Sequence, residues 1–522
     1  MAPPARVSPP EWTESRKKNG LDPLGMQNSS VALYQSLLPG ISNVTLRIRY
    51  YGLYCWLADR YAREVGDTNP TTWQRHVRRA EALYALIAQH RGTETGVAGV
   101  TWAAAKLAQA DSVVDFAEDA EPGSPTHYLK QAWGAYGAAY ASQLIETRVL
   151  TLTDSHAIPV PGLGVGDRLA KAFATALGDL TNRFFAIVQR GNVTLQELES
   201  LAPMTPSEIG VDSEERAVYE DLLFAKGARH EPNDEARRRT LTLILTLADQ
   251  LKRYPSSTDL RWALYADMLP DGSPAQWSNQ ELRDHRLKWW VYQLNDLGHI
   301  CCEALLKYTL DILEAYPAGR SLPALIGEAV EGVVAALGVE PTTWGQFCTS
   351  VAVPSNAWQS ADEGSEYSRL LQILRAARDG RTCQAPDALN ALQLLAILSG
   401  RAAPAVETLA ANLVGAGGGV ARSIFTELGF LNGCVHDPFR EVVTRLINER
   451  VVQRHLWIAL RKLRYQSEYT FLIESDEGQV RLRQKDGPVQ TTPRLDPAIA
   501  FLRDIHLLDD GGLTSLGTRL VQ

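Results

Sequence analysis

The stretch Leu37 to Tyr61, LLPGISNVTLRIRYYGLYCWLADRY, decides how the chain is read. It opens on the breaker Pro39-Gly40 and then offers Ser42 or Asn43 as a helix cap. From Val44 a long helix is expected, with large residues on nearly every side. Tyr50, Tyr51, Tyr54, Trp56 and Tyr61 supply aromatic rings, and Leu46, Ile48, Leu53 and Leu57 supply aliphatic mass. A helix that is apolar all round is a buried, central one. Arg47 and Arg49 lie inside that apolar surround, about 200° apart on a helix, so both cannot reach the same water. At least one needs an internal carboxylate, because an unpaired buried charge is very costly. Arg47, Arg49, Tyr50 and Tyr51 therefore form the expected structural hub.

Around this hub the sequence reads as mainly α: a multi-helix body followed by a small α+β module with a winged-helix-like ending. A chain of 522 residues has room for several cores. Residues 1–27 are Pro-rich and polar and are expected to be a disordered arm. Residues 28–430 are expected to form the helical body, in one or two subdomains. Helices are predicted from Pro70 to Arg91, Asn233 to Tyr254, Asn279 to Tyr316, Leu322 to Leu337, Ser365 to Arg378 and Pro386 to Leu398. Between them, DSHAIPVPGLGVGD (Asp154 to Asp167) is a hairpin or an extended loop, with Asp167 capping the next helix. The glycine run Gly415 to Gly419 reads as a flexible joint, since GAGGGVAR lacks the GK[ST] ending of a phosphate-binding loop. A soft boundary falls near residues 415–435.

Residues 431–522 change character. Two helices, Pro438 to Glu449 and Val451 to Tyr465, lead into strands Tyr469 to Ser475 and Gln479 to Gln484. A helix over DPAIAFLRDIHLL follows, then an Asp-Gly turn, a short strand and a last helix. That order resembles winged-helix endings, which serve protein contacts as well as DNA contacts.

The hub stretch also carries a resemblance. LDPLGM at Leu21 to Met26, followed by the P-G-I-S turn and the R-I-R-Y-Y helix, resembles the start of uncharacterised, mostly helical bacterial proteins encoded in phage-defence gene neighbourhoods. The match spans roughly 40 of the 522 residues. It implies an anti-phage defence or DNA-processing context and brings no catalytic residue with it.

Composition narrows the rest. The apolar share of 45% and charged share of 21% are those of a soluble protein. A net charge of −8 and a pI near 5.8 argue against a chain coated in nucleic acid but allow a local basic patch. The N-terminus has no secretory apolar core, and the longest apolar runs, such as Leu241 to Ala248, are too short for a bilayer. A cytoplasmic protein without a membrane partner is expected. The six cysteines are scattered without a CxxC pair and read as reduced, buried thiols.

Two patterns could carry chemistry. Asp296, His299 and Glu303 fall on one face of the long helix; they are either metal ligands of a nuclease-like enzyme or a buried hydrogen-bonded network. No cofactor motif accompanies them, and neither G-x-S-x-G nor H-E-x-x-H occurs. The second pattern is basic. Arg445, Arg450, Arg454, Arg461, Lys462 and Arg464 face a single acid, Glu449, and Arg481, Arg483 and Lys485 line the outer side of the second strand. Arg454, Arg461, Lys462, Arg464, Arg481, Arg483 and Lys485 are the candidate DNA contacts; the alternative is a solvated face paired with Glu474, Asp476 and Glu477. The sequence thus points to a non-enzymatic subunit that scaffolds other protein subunits and binds double-stranded DNA. A metal-dependent enzyme and a purely protein-binding adaptor remain as alternatives.

Overall fold

Two helices organise the molecule: the aromatic helix Arg49–Glu64, and the helix Gln280–Glu314, which at 35 residues runs about 50 Å. The structure, a computed structural model, describes residues 22–225, 231–359, 363–378, 380–405, 422–476 and 478–521. The expected arm therefore lies largely outside the described residues, as does the glycine run Gly415 to Gly419. The chain is mainly helical, with four small antiparallel sheets among the described residues.

The aromatic helix starts at Arg49, five residues later than Val44. The Thr45 hydroxyl accepts from the Ser42 N–H and donates to the Ser42 carbonyl, which makes a local turn instead of a helical one. Val44 and Leu46 are 56% and 42% exposed. The helix is opened by a distant group: the Ile48 N–H donates to Asp504 at 3.1 Å. Arg47 thus precedes the helix and turns to Asp504 and Glu94, while Arg49 points into the core and meets Glu215. Both arginines are buried and paired, which is what the apolar surround demanded.

Tyrosines fill the space beside this helix. Tyr50 packs on Tyr84 and Tyr140 at centroid distances of 5.1 and 4.7 Å, and Tyr54 on Tyr136 at 5.2 Å. At their centre lies the buried Glu81, which accepts from the Tyr54 and Tyr128 hydroxyls and from the amides of Ala135 and Tyr136. Four donors satisfy a carboxylate that burial nonetheless pushes up to about 7.

Local signals set most helix ends. Asn69 accepts from the Thr71 amide, Pro70 takes the first helical position, and Gly92 ends the helix Pro70–Arg91 with a left-handed φ of 77°. Asn279 caps the long helix through the Leu282 amide. The interlude after Leu150 is a hairpin, Leu150–Thr153 against His156–Pro161. Asp167 is not the cap of the next helix; it stands in the first turn of Val165–Leu177 and accepts from the Gly164 amide.

The C-terminal part is sewn into the body. Phe439–Arg445 runs through a π-helical segment, Leu446–Val452, into Gln453–Gln466, so the two expected helices are one continuous rod. The strands are shorter than expected, Ile473–Asp476 and Gln479–Leu482, and Arg320–Ser321 from the body adds a third strand. Helix Leu495–Asp504 returns to the hub, where Phe501 meets Tyr51 edge-on at 5.5 Å and Asp504 takes Arg47. At the other terminus Asp22 caps helix Gln27–Leu37 through the amides of Met26, Gln27 and Asn28. Leu24 and Met26, expected in the arm, are fully buried. No helix among the described residues is long and apolar enough to cross a membrane.

Candidate nucleic-acid interface

Helix Gln453–Gln466 presents two unlike sides. His455, Ile458 and Ala459 are buried. His455 is fixed on both nitrogens: Nδ1–H donates to the Pro23 carbonyl at 3.3 Å, and Nε2 accepts from the Leu472 amide at 2.9 Å. The helix thereby clamps the start of the described chain on one side and the hairpin on the other. Burial holds this imidazole down to about 4, so it stays neutral.

The outer side is aromatic and basic. Trp457 is 49% exposed and Tyr465 74%, with Leu460 and Leu463 between them. The Arg454 guanidinium lies 4.5 Å from the Trp457 ring centre, that of Arg461 5.7 Å, and Arg464 stands 5.7 Å from Tyr465. The i, i+3 and i, i+4 spacings of Arg454 and Arg461 from Trp457 put both cations and the ring on one surface. Among the described residues no carboxylate forms an ion pair with Arg454, Arg461 or Arg464.

Between this helix and residues 24–28 runs a groove. A cavity of about 470 Å³ is lined by Asn28, Arg422, Arg450, Arg454, Trp457 and Arg461, among others. Glu427, fully buried, receives two guanidinium forks at once, Arg422 at 2.6 and 3.1 Å and Arg450 at 2.9 Å on both oxygens. Arg454 donates to the Leu24 carbonyl at 3.2 Å. Burial first, then the charges of Arg422 and Arg450, hold it down to about 10 against the pull of Glu427. An adjoining cavity of about 440 Å³ reaches Asp22, Lys462 and Tyr465, with the Lys462 ammonium on the Asp22 carbonyl. Gly25 permits the close passage: at φ 71° its missing Cβ would meet Ile458 Cδ1 at 2.6 Å.

The strand cations are placed differently. Arg481 and Arg483 border a separate cavity of about 740 Å³ on the other side of the helix, with Leu456, Leu460, Tyr469 and Phe471. Arg483 pairs with Glu474 at 3.3 Å, as the solvated-face alternative has it. Lys485 turns to the long helix, where Asp311 at 2.8 Å and Glu314 at 2.5 Å neutralise it. The unpaired positive charge therefore gathers on the helix, not on the hairpin. Sequence reasoning had the helical arginines but missed Arg422, Asn28 and Trp457. Only Trp457 carried a local signal, an aromatic ring set between Arg454 and Arg461.

Asp296, His299 and Glu303 do meet, deep in the core. His299 bridges Asp296 at 2.8 Å and Glu303 at 3.4 Å. Asp296 is also bound by Arg261 and by Thr491, and Glu303 by the Gln27 side chain and the Val489 amide. Burial would push the Asp296 carboxyl up, but Arg261 and then His299 pull it down to about 2. Burial would likewise push His299 down, yet Glu303 and Asp296 hold the imidazolium up to about 10. The carboxylate lone pairs are thus spent on cations, amides and the Thr491 hydroxyl. No set of three or more potential ligands among the described residues has the geometry to hold a metal ion. This network ties residues 27 and 489–491 to the long helix.

No protein-family model matches the chain, and no curated protein or solved structure is significantly similar to it.

Proposed function

We propose that this chain is a non-enzymatic subunit of a bacterial anti-phage defence or DNA-processing complex that scaffolds partner proteins and binds double-stranded DNA on helix Gln453–Gln466. The observation that carries this reading is the aromatic–basic surface of that helix. Arg454, Arg461 and Arg464 have no carboxylate partner among the described residues, in a chain whose net charge is −8. A concentrated positive surface on an acidic protein is best matched by a phosphate backbone. The order of helix, hairpin and helix from Gln453 to Asp504 supports the winged-helix-like reading of this region. The exposed Trp457, Leu460 and Tyr465 favour a second reading, docking of another protein subunit on the same surface.

The test is a fluorescence-anisotropy titration of labelled duplex DNA at low and moderate salt. Affinity is expected to fall steeply with salt and to vary little with sequence. Arg461→Glu with Arg464→Glu should remove most of the binding. Arg481→Glu with Arg483→Glu should remove less, because Arg483 is already paired with Glu474. Failure of the wild-type protein, with its partner subunits present, to bind duplex DNA at low salt would leave the surface as a protein-docking face.

A further inference from the structure

The groove beside the helix differs from the helix surface in kind. Its cavity, about 470 Å³, is of the size that encloses a small ligand, whereas duplex DNA is read by an open face. Four guanidinium groups line it, those of Arg422, Arg450, Arg454 and Arg461, and one carboxylate, Glu427, is shared by two of them. Burial first, and then the charges of Arg422 and Arg450, depress Arg454. Glu427 offsets Arg422 and Arg450, and a further anion would offset Arg454 and Arg461. Arg422 is itself buried, its orientation fixed by the Glu427 fork and by the Arg450 carbonyl at 2.9 Å. The forks of Arg422 and Arg450 close on Glu427, which leaves the guanidinium groups of Arg454 and Arg461 to meet phosphate oxygens, which accept two N–H bonds at once. Along the wall stands Trp457, half exposed, an aromatic plane of the kind on which bases stack. Asn28 and Thr426 add neutral polar residues to the same lining.

We propose that this groove is a binding site for a 5′-phosphorylated nucleoside, with the phosphate among Arg422, Arg450, Arg454 and Arg461 and the base against the Trp457 indole. The phosphate charge would offset the excess of guanidinium, and the indole would select a nucleoside over a bare anion. The ligand is either a free nucleotide or the 5′-phosphorylated end of a strand, because both present the same group. The inference does not depend on duplex binding: it needs the groove, not the outer surface.

Isothermal titration of the full chain at low salt, with AMP, adenosine, ribose 5-phosphate and inorganic phosphate as probes, tests it. AMP should bind, adenosine should not, and each of the two base-free phosphates should bind at least about tenfold more weakly than AMP. Arg461→Glu and Trp457→Ala replace exposed side chains and leave the fold intact; each should weaken AMP by about tenfold or more. A 5′-phosphorylated dodecanucleotide that binds more tightly than both AMP and its unphosphorylated counterpart assigns the site to strand ends; an AMP affinity equal to or above it assigns the site to free nucleotides. Absence of AMP binding, or AMP binding unchanged in both variants, overturns the proposal. Duplex binding that persists while AMP binding is absent would leave the helix surface as proposed and remove only the groove.

Discussion

Replacing Arg49 by Ala tests whether the aromatic helix is held by charge pairing or by packing alone. Arg49 is 1% exposed and Glu215 fully buried. The guanidinium makes a two-pronged contact, Nε to Oε1 at 3.0 Å and Nη2 to Oε2 at 2.9 Å, and Nη1 donates to the carbonyls of Pro203 and Thr205 at 2.7 and 2.6 Å. Truncation strands a buried carboxylate that keeps the Tyr219 hydroxyl at 3.2 Å, and it takes the Arg49 donor from the Pro203 carbonyl, while the Thr205 carbonyl keeps the Glu208 amide at 3.1 Å. Breaking a buried pair from one side costs about 3–5 kcal/mol, and the stranded Pro203 carbonyl adds roughly 1 kcal/mol or more. A loss of about 4 kcal/mol or more is therefore expected, read as the displacement of urea unfolding curves followed by tryptophan emission and circular dichroism. The control is Arg49→Met combined with Glu215→Leu. That pair removes both charges and fills the space, so it should recover most of the loss. If Arg49→Ala lies within about 1 kcal/mol of the wild type, or if the double variant is no better than the single one, the pairing argument fails.

Two further variants probe how the distant parts of the chain are locked together. Gly52 lies opposite Tyr219: an added Cβ would stand 2.2 Å from its hydroxyl and 2.8 Å from Phe173. Gly52→Ala should cost about 1–3 kcal/mol, and Tyr219→Phe in the same chain should return part of it; a neutral Gly52→Ala in the same urea assay would refute the close approach. His455 has its folded pKa depressed from 6.5 to about 4, so it binds protons more readily in the unfolded chain. Its contribution is complete above pH 6.5 and is lost as the pH falls to about 4. That contribution is about 3 kcal/mol. His455→Asn should lack this acid-dependent part, seen as a flatter stability profile between those pH values, and an unchanged profile would show that the clamp does not titrate.

How far the sequence could be read depended on how local each determinant was. Helix Pro70–Arg91 was legible to the residue because its cap, its first-turn proline and its terminal glycine are all adjacent in the chain. The start of the aromatic helix was not, because the group that accepts the Ile48 N–H is Asp504, more than 450 residues away. The need for a buried partner at Arg49 followed from its apolar neighbours; its identity as Glu215 did not, since nothing in the spacing singles out one acid among many. The basic patch divides in the same way. Arg454, Arg461 and Arg464 are spaced on a helix and share its outer surface, so their clustering was visible. Lys485 looked equivalent to them in sequence, yet Asp311 and Glu314 neutralise it through contacts only the fold creates; the pairing of Arg483 with Glu474 was already one of the two sequence readings. Arg422 enters the groove from the opposite direction, brought in by its fork with Glu427. Charge counted along a chain thus overstates the field wherever the fold supplies counter-ions. It understates the field where, as around Arg454, distant segments bring like charges to one place.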